Sequence, residues 1–259
     1  NGVHDTVRVI TRETNGGVGA ATKTGIRLAL ELGADIIVKL DADGQMSPSL
    51  IPDLIAPLKE KRADFCKGTR FDSPEDLEGM PKIRLIGNSA LSLVNKFSSG
   101  YWSVNDPTNG FIAMTRAVGE GLSLDKIADD YFFESDLLFR LRLIGARISQ
   151  LRMKSVYAGE KSNLRPLKVA IPFGIKHARN QLKRFAYMYL VREWNLGTLY
   201  SFAAGLSLVV AVIASWFAIL QSQIAGVGTG TAVLASLGFI LWVQFTTQFF
   251  SVDVSSEPK

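Results

Sequence analysis

Residues 34–44 read Ala34-Asp35-Ile36-Ile37-Val38-Lys39-Leu40-Asp41-Ala42-Asp43-Gly44. Ile36, Ile37 and Val38 are β-branched, and a short apolar run between Gly33 and an Asp-Gly turn predicts a buried strand over 34–40. Two carboxylates, one residue apart, follow at its carboxyl end. In open α/β sheets, ligands bind beyond that end of the strands. Mg²⁺ takes one or two protein carboxylates and fills its shell with phosphate oxygens and water, so the pair suits a divalent cation carrying a diphosphate. Taken alone, the Asp-x-Asp triplet leaves two alternatives: a solvated turn, or a phosphatase whose first Asp is the nucleophile.

Working outward, strand and helix patterns alternate. Val7–Thr11 reads as a strand, and Val18–Leu32 as a helix stopped by Gly33. Beyond the acidic turn, Ser47-Pro48 opens a helix over 49–59, Ala63–Gly68 is a strand and Ile83–Phe97 a helix. A short strand over 111–115, a helix over 131–144 and a strand over 147–156 complete an α/β domain spanning 1–160. Cys66 is the one cysteine, which excludes an intramolecular disulfide and fits a reducing compartment. It lies in an apolar stretch and is expected to be a packed core thiol. His4 and His177 lack metal-ligand spacing.

The C-terminal part has a different character. Trp194 to Val252 contains no Asp, Glu, Lys or Arg. A bilayer span needs about 20 apolar residues, so this segment holds two, near 199–220 and 224–250, within a membrane region of 196–252. The alternative, a buried hairpin of a soluble protein, fits so long a charge-free stretch poorly. The net charge is +5, and Lys168, Lys176, Arg179, Lys183, Arg184 and Arg192 all precede the first span. That flank is therefore expected in the cytoplasm, and two spans return the tail 253–259 there. Within 161–195, Ile171, Ile175, Ala178, Leu182, Phe185 and Tyr189 form one stripe at helical spacing, with basic residues on other faces. This predicts interfacial helices on a lipid bilayer, broken into two pieces by Pro166 and Pro172. No nucleic-acid partner is expected.

Leu40-Asp41-Ala42-Asp43-Gly44-Gln45-Met46-Ser47-Pro48 resembles the metal and nucleotide motif of family 2 glycosyltransferases, closest to the polyprenyl- and dolichyl-phosphate sugar transferases. Asn15-Gly16-Gly17-Val18-Gly19-Ala20-Ala21, Lys67-Gly68-Thr69-Arg70, Asp106-Pro107-Thr108-Asn109-Gly110-Phe111 and Tyr131-Phe132-Phe133-Glu134-Ser135-Asp136 resemble further motifs of that family, in the family's order. The resemblance implies a Rossmann-like GT-A domain and an inverting transfer of sugar from a nucleotide-diphosphate donor to a polyprenyl phosphate. Asp43 and Gln45 would contact Mg²⁺ or Mn²⁺, with Asp41 on the metal or the nucleotide ribose. Arg70 and Arg84 would face phosphate, which the planar guanidinium suits, and Asn88 would add a donor. Asn15 and Gly19 would belong to a turn leading into a helix N-terminus that can face an anion.

Asp106 is expected near the reacting centre, as a base or a positioning group. A phosphate monoester is largely dianionic at neutral pH and is already a nucleophile, so positioning suffices for a lipid-phosphate acceptor. A hydroxyl acceptor would need a base, for which Glu134 and Asp136 are the candidates. Two departures from the family pattern stand out. Val18 occupies a position where relatives carry Lys or Arg, and nothing before Val7 resembles the family's first strand, which implies that this strand and its helix are missing. The rivals are a membrane-bound transferase that extends a glycan on a hydroxyl, and a non-catalytic membrane scaffold. Related two-span enzymes also assemble through their membrane helices, which makes a homo-oligomer an expectation.

Overall fold

β1 (Ile36–Lys39) forms where the β-branched run predicts it, and it pairs antiparallel with β3 (Ile112–Thr115). The computed structural model describes residues 7–71, 82–154, 166–223 and 226–259, with the side chains of 82–84 and 166–170 outside that description. β3 also pairs antiparallel with β2 (Phe65–Thr69), and β2 runs parallel to β4 (Ile148–Arg152). The sheet order is β1-β3-β2-β4. One row crosses all four strands: Lys39 lies opposite Ile112, Ile112 opposite Lys67, and Lys67 opposite Gln150. Side chains of such a row share one face of the sheet, so two lysines stand on either side of Ile112.

The other face is apolar. Cys66, Ala113, Phe111 and Met153 pack against Leu54 and Leu58 of α2 (Ile51–Lys59), which a 3-10 turn over Pro48–Leu50 introduces. Burial pushes the Cys66 thiol up to about 11, as expected of a core cysteine. The remaining helices of this unit are α1 (Val18–Glu31), α3 (Lys82–Ser99), α4 (Arg116–Gly121) and α5 (Phe133–Ile144). α5 buries Phe133, Leu137, Leu138 and Leu141 and packs on α1 and α3. Its last turn ends at Gly145, whose left-handed conformation closes the helix.

Two expectations are corrected. Val7–Thr11 is not a strand: it is irregular, and Val9 is 87% exposed with no ladder partner among the described residues. β-branched residues alone do not make a strand when no neighbour takes up the backbone groups. Pro172 does not break its segment, since α6 (Pro166–Phe185) runs through it as one helix. Pro172 faces outward, where the carbonyl left without a donor need not be buried.

The chain divides into two compact units: Asn1–Ser99 with Ser103–Asn180 and Pro258–Lys259, and Gly100–Trp102 with Gln181–Glu257. In the first unit α6 turns its polar side inward. His177 hydrogen-bonds Ser98 at 2.7 Å, Asn180 donates to Asp136 at 2.9 Å, and Phe132 packs edge-on against Phe173 and His177. Ile171 and Ile175 point outward.

In the second unit a π-helical segment (Ala186–Arg192) precedes α7 (Leu196–Ser222) and α8 (Thr229–Ser255). Asn195 caps α7, accepting from the Gly197 and Thr198 amides, while the Thr198 hydroxyl accepts from the Asn195 amide. α7 and α8 pack through small residues, with the backbone of Gly238 against Ala211. Their large apolar side chains, Leu206, Val209, Trp216, Phe217, Leu237 and Ile240 among them, face outward. Both helices are long and apolar enough to cross a membrane. Leu182 is exposed like Ile171 and Ile175, whereas Tyr189, the last member of the sequence stripe, is buried against Phe249.

Candidate active site

The row formed by Lys39 and Lys67 runs from the last residue of β1 to the middle of β2, and both lysines reach the loops that carry the acidic motifs. Lys39 Nζ lies 2.9 Å from both carboxylate oxygens of Asp41 and 3.9 Å from Glu134 Oε1. Lys67 is 1% exposed and donates to the backbone carbonyl of Asp106. Burial pulls its pKa down to about 8, against the opposing pull of the Asp106 and Glu134 carboxylates. Glu134 is pushed above the usual carboxylate range by burial, with Lys39 opposing the shift.

Asp106 is fully buried and firmly held. Arg70 donates to it through its backbone N–H at 3.2 Å, Nε at 2.7 Å and Nη2 at 3.0 Å. This two-pronged contact fixes both the carboxylate plane and the end of β2. Within the same loop, Asn109 accepts from the Phe111 amide at 2.9 Å and reaches Met153 Sδ at 3.2 Å. Gly110 passes so close to Asp41 and Lys39 that a Cβ there would collide with the Lys39 ammonium and with Asp41 Oδ2. The loop and the Asp-x-Asp turn therefore form one site.

The remaining candidates are distributed around it. Asp43 is exposed and accepts from the Gln45 amide at 3.0 Å, which shapes the turn after β1. Asp41 and Asp43 offer hard oxygen donors. Among the described residues no group of three or more His, Cys, Asp or Glu could hold an ion by itself. That donor set fits a hard divalent cation sharing its shell with phosphate oxygens and water. Asn88 is half-buried on α3 one turn beyond Arg84, and the Arg84 side chain lies outside the described residues.

Glu134 and Asp136 are separated by the helix itself, because residues two apart on α5 point in nearly opposite directions. Glu134 faces Lys39. Asp136 accepts from the Ala128 amide, Arg140 and Asn180, which makes it a structural anchor. Asn15 accepts from the Gly17 amide at 3.0 Å. Gly17 has φ of 89° and lies against the Asp129 carbonyl, where a side chain would not fit. Gly19 and Ala20 donate to that carbonyl at 2.8 and 3.3 Å, and buried Lys23 bonds the Ile127 carbonyl and the Asp129 carboxylate. The front of α1 thus holds the 127–130 loop in place.

Sequence reasoning missed Lys39 and Lys67. The one available signal was a lysine within each predicted buried strand, at positions where an unpaired charge would be costly.

The family model for Glycosyl transferase family 2 matches residues 3–121. The UDP-N-acetylglucosamine–dolichyl-phosphate N-acetylglucosaminyltransferase of Methanococcus voltae is 34% identical over 177 residues, 68% of this chain and 70% of that protein. The undecaprenyl-phosphate mannosyltransferase of Micrococcus luteus is 32% identical over 146 residues, 56% of this chain and 59% of its own length. Among solved structures, glucosyl-3-phosphoglycerate synthase from Mycobacterium tuberculosis, in complex with Mn²⁺, UDP and glucosyl-3-phosphoglycerate, aligns with a TM-score of 0.41 at 22% identity, over 68% of this chain and 56% of its own. By the family model and the sequence relatives, the chain belongs to glycosyl transferase family 2, beside the enzymes that glycosylate dolichyl and polyprenyl phosphates.

Proposed function

We propose that this protein transfers a sugar from a nucleotide-diphosphate donor to a polyprenyl phosphate at the cytoplasmic face of a membrane, inverting the anomeric centre. The observation that carries the reading is the joining of the Asp41–Asp43 turn to the Asp106–Gly110 loop by Lys39 and Gly110, close to Glu134. Asp41 and Asp43, with Gln45, would hold Mg²⁺ or Mn²⁺. Such an ion neutralises charge developing on a departing diphosphate.

This chain's own residues supply the rest. Arg84 and Asn88, on one side of α3, would meet phosphate. Arg70 keeps Asp106 in place, and Asp106 in turn positions the loop that borders the reacting centre. A dianionic lipid phosphate attacks without losing a proton, so a carboxylate bound as tightly as Asp106 need not act as a base. Ile171, Ile175 and Leu182 would sit in the membrane interface, with neighbouring lysines and arginines drawing the anionic headgroup. α7 and α8 would span the bilayer, and their outward apolar side chains support that placement.

A second reading has one observation in its favour. Glu134 is a mostly buried carboxyl with a raised pKa next to the cluster, which suits a general base for a sugar-hydroxyl acceptor. Labelled nucleotide sugars offered with undecaprenyl phosphate or with a soluble glycan separate the two. Label entering the organic phase supports the lipid-phosphate reading, and label entering only the glycan replaces it with the hydroxyl reading.

A further inference from the structure

Six charged groups meet around the candidate site: Lys39, Lys67 and Arg70 against Asp41, Asp106 and Glu134. Their formal charges cancel. Asp43, the other proposed ligand, adds one negative charge at the exposed edge, so a divalent ion arriving alone would still leave the site with a positive excess, whereas an ion arriving with a diphosphate would not. Low local dielectric makes that difference count.

Lys39 is the member placed to enforce it. Its ammonium is bonded to both oxygens of Asp41, and a cation ligated by Asp41 needs a lone pair from one of those oxygens at about 2.0–2.6 Å. Glu134, 3.9 Å from the same nitrogen, is a second carboxylate for the ammonium when it leaves. We propose that Lys39 competes with the divalent cation for Asp41, so that the cation binds weakly by itself and firmly only with the diphosphate of the donor. The competition presupposes that Asp41 ligates the cation, as proposed above. Lys39 is thus a positioning residue that couples cation and donor binding.

Mn²⁺ binding to the detergent-solubilised full chain, read by the loss of free-ion EPR signal without nucleotide, tests this. Lys39→Met is expected to tighten Mn²⁺ binding roughly tenfold, the worth of a displaced hydrogen bond to a charged group. Lys39→Arg, which keeps the charge, stays near wild type. Lys39→Gln carries the same test if the methionine variant folds poorly. The gain disappears in an Asp41→Asn background, because the competition is for that carboxylate. Unchanged or weaker Mn²⁺ binding by Lys39→Met overturns the proposal. A gain of equal size in the Asp41→Asn background, or from Lys67→Met, also overturns it by showing a general charge effect. Absence of Mn²⁺ binding in wild type and variants alike, with UDP present or not, overturns the cation reading of Asp41 and the competition with it.

Discussion

Arg70 grips Asp106 with its backbone amide and two guanidinium nitrogens, and Asp106 is wholly buried beneath it. A carboxylate so placed has a structural duty whatever its chemical one. Arg70→Ala leaves a buried charge without its main partner, which costs about 3–5 kcal/mol. Arg70→Lys recovers only part of that, because an ammonium cannot reproduce the planar fork. Urea unfolding of the purified variants in mild detergent measures both, and equal stability of Arg70→Ala and wild type would show that Asp106 needs no such support.

Gly110 is the next point of sensitivity. Its missing side chain leaves room for Lys39 and Asp41. Gly110→Ala is expected to lower kcat on the order of tenfold or more, since ångström-scale misplacement of catalytic groups has effects of that size. Steady-state kinetics beside a melting curve provide the check: kcat should fall with little change in Tm.

His177 predicts a pH dependence. It is buried against Ser98 and Phe132, and its Nε2 has no hydrogen-bond partner among the described residues. Burial lowers its pKa from 6.5 to about 4. The unfolded chain therefore takes up a proton that the folded chain refuses. Stability is complete above pH 6.5, declines as pH falls toward 4, and has lost up to about 3 kcal/mol below that. His177→Gln should flatten this slope relative to wild type, and identical unfolding profiles between pH 4 and 6.5 would contradict the assignment.

Asp253, near the end of α8, accepts from Arg184 at 2.5 and 3.1 Å, from the Tyr189 hydroxyl at 2.7 Å and from Trp102 Nε1 at 2.9 Å. Arg184 is itself only 4% exposed at its side chain. Asp253→Ala is expected to destabilise the second unit by about 3–5 kcal/mol, and Asp253→Asn by less because the amide keeps part of the hydrogen bonding. Thermal unfolding in detergent distinguishes them.

Several of these relationships were open to reading in the sequence, and others were closed to it for physical reasons. Ile36-Ile37-Val38 followed by Asp41 and Asp43 announced the strand and the acidic turn of the candidate site, because a β-branched run and an Asp-Gly turn are local signals. α1, α5 and the two membrane-length helices also follow from local periodicity or its absence. Lys39 and Lys67 did not stand out, since the row that joins them depends on β3 lying between β1 and β2, a long-range pairing. Glu134 and Asp136 look equivalent in sequence, and only the orientation of α5 sets Glu134 near Lys39 and Asp136 against the Ala128 amide. Val7–Thr11 misled because strand propensity was present without a partner.

Transfer to a lipid phosphate is tested most directly by following labelled sugar into the organic phase. Membranes containing the protein are supplied with nucleotide sugars, undecaprenyl phosphate and Mg²⁺ or Mn²⁺. The expected outcome is a lipid-linked product that disappears when the metal is chelated and when Asp43 is replaced by Asn. Lipid-linked product formed undiminished by Asp43→Asn or in the presence of chelator would contradict a metal-dependent transfer at this site.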